Sequence, residues 1–241
     1  MPPENHLLAA FPADTVGRWR KHMRTVELRH GQVLHHAGHS ITEVYFPLDC
    51  MISITVTVSA GRTAEAGAVG SREMVGINAF MGGRETNHTE YVAQIAGSAI
   101  IMPAGPLLEE FDTVKPVRDV LLRYTQAYIA HLSQNVACNR LHQIDQRLAR
   151  WLMECRDRLR SDDLAITHEF LAEMLGVRRA GVSETAGRLQ DRGLIRIGRK
   201  RVRILDSKGL EAASCECYRL LRDEYDRLLG PMRPGGPGTT S

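Results

Sequence analysis

An α+β fold in three successive parts is what the sequence predicts, on three observations. Up to about Phe111, short runs alternate apolar and polar residues between glycines. After Thr113 the apolar spacing lengthens to three and four residues. Further on, two helical runs joined by Leu175-Gly176-Val177 lead into a hairpin tipped by Gly198-Arg-Lys-Arg201. Period two marks strands half-buried on a core, and period 3.6 marks amphipathic helices. With 241 residues and about one domain per 150 residues, two domains are expected. Hydrophobic residues at 43% and charged ones at 24% exclude wholesale disorder. No apolar run nears the roughly 20 residues that cross a bilayer. The opening Met1-Pro-Pro-Glu-Asn-His6 lacks the basic-then-apolar pattern of a secretory signal, so a cytoplasmic chain without membrane association is expected.

In the first part, Ile52, Ile54, Val56 and Val58 alternate with Ser and Thr, as in a half-buried strand. Ser59-Ala-Gly-Arg62 reads as its turn and residues 65–69 as the antiparallel return. Residues 43–46, 91–95 and 99–102 read as further strands. Many short strands at this spacing predict a small β-barrel or roll, placed at residues 1–115.

Pro116 suits a first helical turn, where its missing N–H would lack a partner anyway. From it Val117, Leu121, Tyr124, Tyr128 and Leu132 recur at spacings of four and three. This predicts a one-sided helix of about twenty residues, placed at 116–138. Such a helix either packs on its own domain or pairs with its copy in a second chain. A second helical run to about Leu159 carries Ile144, Leu148, Trp151, Leu152 and Cys155 on one face, and Ser161-Asp-Asp breaks it.

Thr167 followed by Glu169, with Phe170, Leu171, Met174 and Leu175 beyond, reads as a capped amphipathic helix. Gly176 can take the positive φ that ends it. A second helix from Arg178 or Arg179 to about Asp191 turns Val182, Ala186 and Leu189 inward. It leaves Arg178, Arg179, Ser183, Glu184 and Arg188 to project outward. Gly193 ends it, and residues 195–197 and 202–205 form a strand pair. Helix, turn, helix and basic two-stranded wing make a winged helix-turn-helix, placed at 139–230 ahead of a Pro/Gly-rich tail, 231–241, with nothing to bury. Residues Ala165 to Lys208 hold ten Arg/Lys against five Asp/Glu, a local +5 where the rest of the chain sums to −2. A polyanion partner is the reading such an excess favours. The cations at the helix start and the wing tip would meet the phosphates and major-groove edges of duplex DNA.

The block Leu171-Ala-Glu-Met-Leu-Gly-Val-Arg-Arg-Ala-Gly-Val-Ser183, followed by Gly187-Arg-Leu-Gln-Asp-Arg-Gly-Leu-Ile195, resembles the helix-turn-helix of the cyclic-AMP receptor protein / fumarate-nitrate regulator (Crp/Fnr) family of bacterial transcription factors. The likeness extends from about Gln32 to Leu210. It implies an N-terminal cyclic-nucleotide-binding-type β-roll, a long dimerisation helix and a C-terminal winged helix-turn-helix. It also implies a homodimer paired through Val117, Leu121, Tyr124, Tyr128 and Leu132. Two recognition helices would then enter successive major grooves about 34 Å apart, on a near-palindromic promoter site. Double-stranded DNA, a second copy of the chain, RNA polymerase and a small-molecule effector are the partners implied.

Position by position, Arg179 matches the family's guanine-contacting Arg, and Ser183 a polar contact of the fumarate-nitrate branch. Thr167 and His168 match phosphate-contacting positions, while Lys200 and Arg201 would reach phosphate from the wing. Ala180 replaces the family's Glu and Glu184 its second Arg. The usual half-site therefore does not transfer, and Arg178 and Glu184 offer a different readout, with Arg188 among the further DNA-contact candidates.

Gly76-Ile-Asn-Ala-Phe80 ahead of Gly82-Gly83 resembles the family's nucleotide-cradling turn. Ile77 stands where its ribose-binding Glu belongs, and His88, beside Thr89, where its phosphate-binding Arg belongs; Arg84 lies off register. A buried phosphate without a cation loses a charge-assisted pair that neutral donors replace poorly. The pocket of Gly76, Ile77, Asn78, Ala79, His88 and Thr89 is thus expected to be degenerate and not to bind cyclic AMP. The five cysteines are scattered, with none before Cys50, so neither a disulfide framework nor the N-terminal iron–sulfur pattern is indicated. His35, His36 and His39 lie together on a Gly-flanked loop that could bind a transition metal or axially ligate haem, with solvation the plainer reading. Cys215-Glu-Cys217 offers two soft ligands without an evident complement, so no cofactor or metal is assigned.

No Gly-x-Ser-x-Gly, His-Glu-x-x-His or phosphate-binding Gly-rich loop occurs, and no enzymatic activity is expected. The rival is a ligand-binding or protein-interaction module sensing a small molecule, metal, haem or redox state, its winged helix contacting protein. The basic wing discriminates against it.

Overall fold

The structure, a computed structural model, describes residues 4–57, 63–83 and 88–231. They fall into two compact units. One holds the chain up to Ile129 together with the end of the last helix from Tyr225; the other is Ala130–Glu224.

The first unit opens on helices α1 (His6–Ala9) and α2 (Ala13–Trp19), where the sequence reading expected only strands. A one-turn helix is too short to show a period. Its signal is the cap: Asn5 Oδ1 accepts from the Leu8 N–H at 2.9 Å, and its amide donates to the Pro47 and Glu73 carbonyls. Seven strands follow: β1 (Arg24–Leu28), β2 (Val33–His35), β3 (Glu43–Pro47), β4 (Met51–Thr57), β5 (Thr63–Val69), β6 (Thr89–Ile95) and β7 (Gly97–Pro103). They pair antiparallel in two sheets, ordered β1-β7-β3 and β2-β6-β4-β5. The return of β5 on β4 is as read from the sequence, while Val58 and the turn at 59–62 lie outside the described residues.

β4 departs from the half-buried pattern. Ser53 and Thr55 are buried along with Ile52 and Ile54, so both of its faces are covered. The polar members find partners, Ser53 donating to Glu65 and Thr55 to the Glu90 carbonyl. Helix α3 (Ala104–Thr113) follows β7. Its Glu110 accepts two hydrogen bonds from the Arg18 guanidinium on α2, at 2.6 and 2.8 Å.

Helix α4 (Lys115–Leu141) runs 27 residues. Val117, Leu121 and Tyr124 are fully buried within the first unit, and Tyr128 nearly so. Tyr124 is fixed at its tip: its hydroxyl donates to the Met74 carbonyl at 2.8 Å and accepts from the Met74 N–H at 3.1 Å. The end of α9 (Cys217–Leu229) belongs to this unit too. Arg72, itself buried, pairs with Asp226 at 2.6 Å and lies over the Tyr225 ring.

The second unit contains the end of α4, α5 (Ile144–Leu159), β8 (Asp163–Leu164), α6 (His168–Leu175), α7 (Arg179–Asp191), β9 (Ile195–Gly198), β10 (Arg201–Ile204), α8 (Ser207–Ala213) and the start of α9. The expected two-stranded wing is three-stranded, ordered β8-β10-β9, because Asp163–Leu164 pairs with Val202 and Arg203 directly after the break at Ser161. Leu148, Leu152, Leu171, Val182, Leu189, Val202 and Leu210 form its buried interior. A buried polar network ties α5 to the end of α4. Glu154 pairs with Arg150 at 2.5 Å, Arg158 at 2.9 Å and His131 at 3.5 Å, and Arg150 also donates to Asn135. Among the described residues no helix is long and apolar enough to cross a membrane.

Candidate nucleic-acid interface

Thr167 caps α6, its hydroxyl accepting from the Phe170 N–H at 3.1 Å. Gly176 has φ +63°, the left-handed conformation that ends the helix, and Arg147 reaches across from α5 to bond the Leu175 carbonyl left unsatisfied there. Three residues later α7 begins, with Arg178 as its cap residue and Arg179 in its first turn. Val182, Ala186 and Leu189 are buried, which turns Ser183 and Glu184 to the exposed side.

Two arginines at a helix N-terminus oppose the macrodipole, and no acid of α7's own first turn offsets them. Such an end favours an anion. Arg179 has an internal counterion, Glu169 of α6 at 2.7 Å, but both remain more than 60% exposed. Arg178 makes no ion pair among the described residues. His168 Nδ1 lies 3.0 Å from Ser183 Oγ, so two residues expected to contact DNA separately form one unit across the helix pair.

Arg188 is exposed, as expected of an outward residue, but it is engaged in ion pairs. It closes a fork on Asp145 of α5, at 2.9 and 2.5 Å, and also binds Glu184 at 2.7 Å. The guanidinium holds the Asp145 carboxyl below its usual range. Arg188 thus fastens α7 to α5, and Glu184 serves partly as its counterion. The sequence reading missed Asp145 because it lies 43 residues away along the chain.

On the wing, Lys200 adopts φ +59° at the tip between β9 and β10, and Arg199 and Lys200 are exposed without ion pairs among the described residues. Arg201 pairs with Asp163 at 3.3 Å. Arg196 and Arg203, not singled out before, sit directly opposite each other across β9 and β10, both exposed. Like charges so placed repel, and a bound polyanion relieves the repulsion.

At the position of the expected pocket, Gly76, at φ +102°, precedes a single 3-10 turn, Ile77–Ala79. A Cβ on Gly76 would meet Val44 at 3.0 Å, so glycine is needed for space as well as for φ. Asn78 accepts from the Tyr91 hydroxyl at 3.3 Å, Ala79 is buried, Thr89 is half-buried on β6, and His88 is exposed. Arg84 lies outside the described residues. His35 does not join His36 and His39: it is buried on β2, edge-on to Tyr45 and Tyr91, and burial lowers its pKa.

Of the stripe expected to pair two chains, Val117, Leu121, Tyr124 and Tyr128 are already buried within the single chain, and Leu132 is half-buried. The large apolar side chains that α4 leaves exposed are Leu122 at 50%, Ile129 at 54%, Val136 at 73% and, at its last residue, Leu141 at 75%. Leu122, Ile129 and Val136 recur every seventh residue, the repeat of a coiled-coil seam, and Leu141 falls outside that repeat.

Residues 146–213 match the family model for the Crp-like helix-turn-helix domain. Solved structures of similar fold include FixK2 from Bradyrhizobium japonicum, with TM-score 0.68 and 15% identity over 80% of this chain and 98% of that one. A CRP-family transcriptional regulator from Thermus thermophilus superposes with TM-score 0.61 at 21% identity, covering 78% and 96%. The c-di-GMP-responsive global regulator CLP from Xanthomonas campestris gives 0.59 at 17%, covering 80% and 99%. No curated protein matches the sequence significantly. The chain therefore carries a helix-turn-helix domain of the Crp-like type. More particularly, it has the fold of the Crp/Fnr transcriptional regulators and carries their Crp-like helix-turn-helix domain.

Proposed function

We propose that the protein regulates transcription as a homodimer that places two copies of α7 in successive major grooves of a near-palindromic site. The observation that carries this reading is the set of exposed cations on one small domain: Arg178 and Arg179 at the helix start, and Arg196, Arg199, Lys200 and Arg203 on the wing. The helix arginines supply base contacts and the wing supplies phosphate contacts. Leu122, Ile129 and Val136 supply the seam with the second copy. Ile77 and the exposed His88, in the places of the acid and cation of a cyclic-nucleotide pocket, argue that the roll does not answer to cyclic AMP. The roll then acts as a scaffold, or senses a different small molecule, and RNA polymerase is the partner through which the bound dimer acts. A gel shift with genomic fragments at two salt concentrations tests the proposal: a salt-sensitive dimer complex supports it, and absence of any complex at low salt refutes it.

A further inference from the structure

Four metal-ligating side chains converge in the second unit, away from the nucleic-acid interface. Cys138 on the last turns of α4 and His142, one helical turn on, face Cys215, between α8 and α9, and Cys217, the first residue of α9. Their ligand atoms all lie within 4.8 Å of one another. Cys138 Sγ is 3.5 Å from Cys215 Sγ, and Cys217 Sγ is 3.5 Å from His142 Nδ1. With metal–sulfur bonds of about 2.3 Å and metal–nitrogen bonds of about 2.0 Å, a tetrahedral ion puts neighbouring ligand atoms roughly 3.5–3.8 Å apart. The three sulfurs are buried almost completely.

The surroundings match as well. His142 Nε2, on the far side of the ring, lies 3.2 Å from Glu216 Oε1, the carboxylate–histidine arrangement that fixes the tautomer of a ligating imidazole. Gln134 donates to Cys217 Sγ at 3.0 Å, a bond suited to a thiolate. Four donors all within 4.8 Å of one another suit a single ion rather than the wider spread of ligands around the inorganic core of an iron–sulfur cluster.

We propose that Cys138, His142 Nδ1, Cys215 and Cys217 form a closed tetrahedral site for one structural zinc ion. The ligands bracket the winged helix in the chain, two before it and two after it, so the ion staples the entry of that domain to its exit. Binding releases the thiol protons and adds the metal's binding energy to folding. The inference does not depend on DNA recognition.

The test uses full-length protein purified under reducing conditions. Elemental analysis gives one zinc per chain, and Co2+ added to the metal-stripped protein gives the intense visible absorption of a tetrahedral thiolate complex, which Zn2+ then abolishes. Cys217→Ser weakens Zn2+ binding by more than about a hundredfold, and Glu216→Gln, which keeps all four ligands, by roughly 10–100-fold. His142→Cys retains one Co2+ with a stronger sulfur charge-transfer band, which guards against variants that merely fail to fold. Substoichiometric metal together with the faint spectrum of octahedral Co2+ overturns the proposal. So does a Cys138–Cys215 disulfide in protein never exposed to oxidant.

Discussion

Arg179 at the head of α7 is held 2.7 Å from Glu169 of α6, within the same helix pair and on its exposed side. On the proposed reading, in which Arg179 contacts a base, Glu169 is a resident competitor for that contact. Surface pairs of this kind are worth at most about 1 kcal/mol. Arg179→Ala is expected to lower specific affinity by about 1–3 kcal/mol and random-duplex affinity much less. Glu169→Gln is expected to tighten binding by no more than about fivefold. Competition titrations with specific and random duplexes measure both.

Lys200 is exposed at the wing tip, with no ion pair to break among the described residues, so on the proposed reading it meets phosphate through charge alone. Lys200→Ala is expected to weaken all duplexes alike and to reduce the slope of log K against log salt by about one. A salt series on two unrelated duplexes reads this directly.

Burial on α4 separates two variants that the sequence pattern would confuse. Ile129→Asp, on the exposed heptad, is expected to leave folding intact and yield a monomer. Leu121→Ala, fully buried in its own unit, is expected to cost about 2–5 kcal/mol of stability without changing the oligomer directly. Sedimentation and urea titration on each variant distinguish them.

Glu154 ties stability to pH. Burial pushes its carboxyl up, but Arg150, the His131 hydrogen bond and Arg158 outweigh this and hold it well below the usual value. A carboxyl depressed in the fold stabilises fully above its unfolded pKa of about 4.3 and loses that contribution as pH falls through the folded value. Urea titrations are expected to show stability declining below about pH 4.3. Glu154→Gln is expected to be weaker at pH 7 and flatter with acidification, because Arg150 and Arg158 lose their buried counterion.

Much of the helix-turn-helix was legible because its signals are local: the Thr167 cap, the Gly176 turn and the inward Val182, Ala186 and Leu189. What failed depended on distance in the chain. The stripe from Val117 to Tyr128 is apolar at helical spacing whether it faces its own roll or a second chain, and only the packing decides. α3 opens on Ala104-Gly-Pro106, where proline in a first turn forgoes no helical bond, and its ten residues end at Thr113, after which the sequence pattern first shows helical spacing. The cysteine–histidine cluster could not be assembled from Cys215-Glu-Cys217 alone, since Cys138 lies 77 residues from Cys215.

Selection of bound duplexes from a random pool tests the central claim most directly. The account predicts enrichment of a near-palindrome with half-site centres about 10 base pairs apart, lost with Ile129→Asp. A pool that stays random after selection at low salt, or a single unpaired half-site bound equally by wild type and Ile129→Asp, would contradict it.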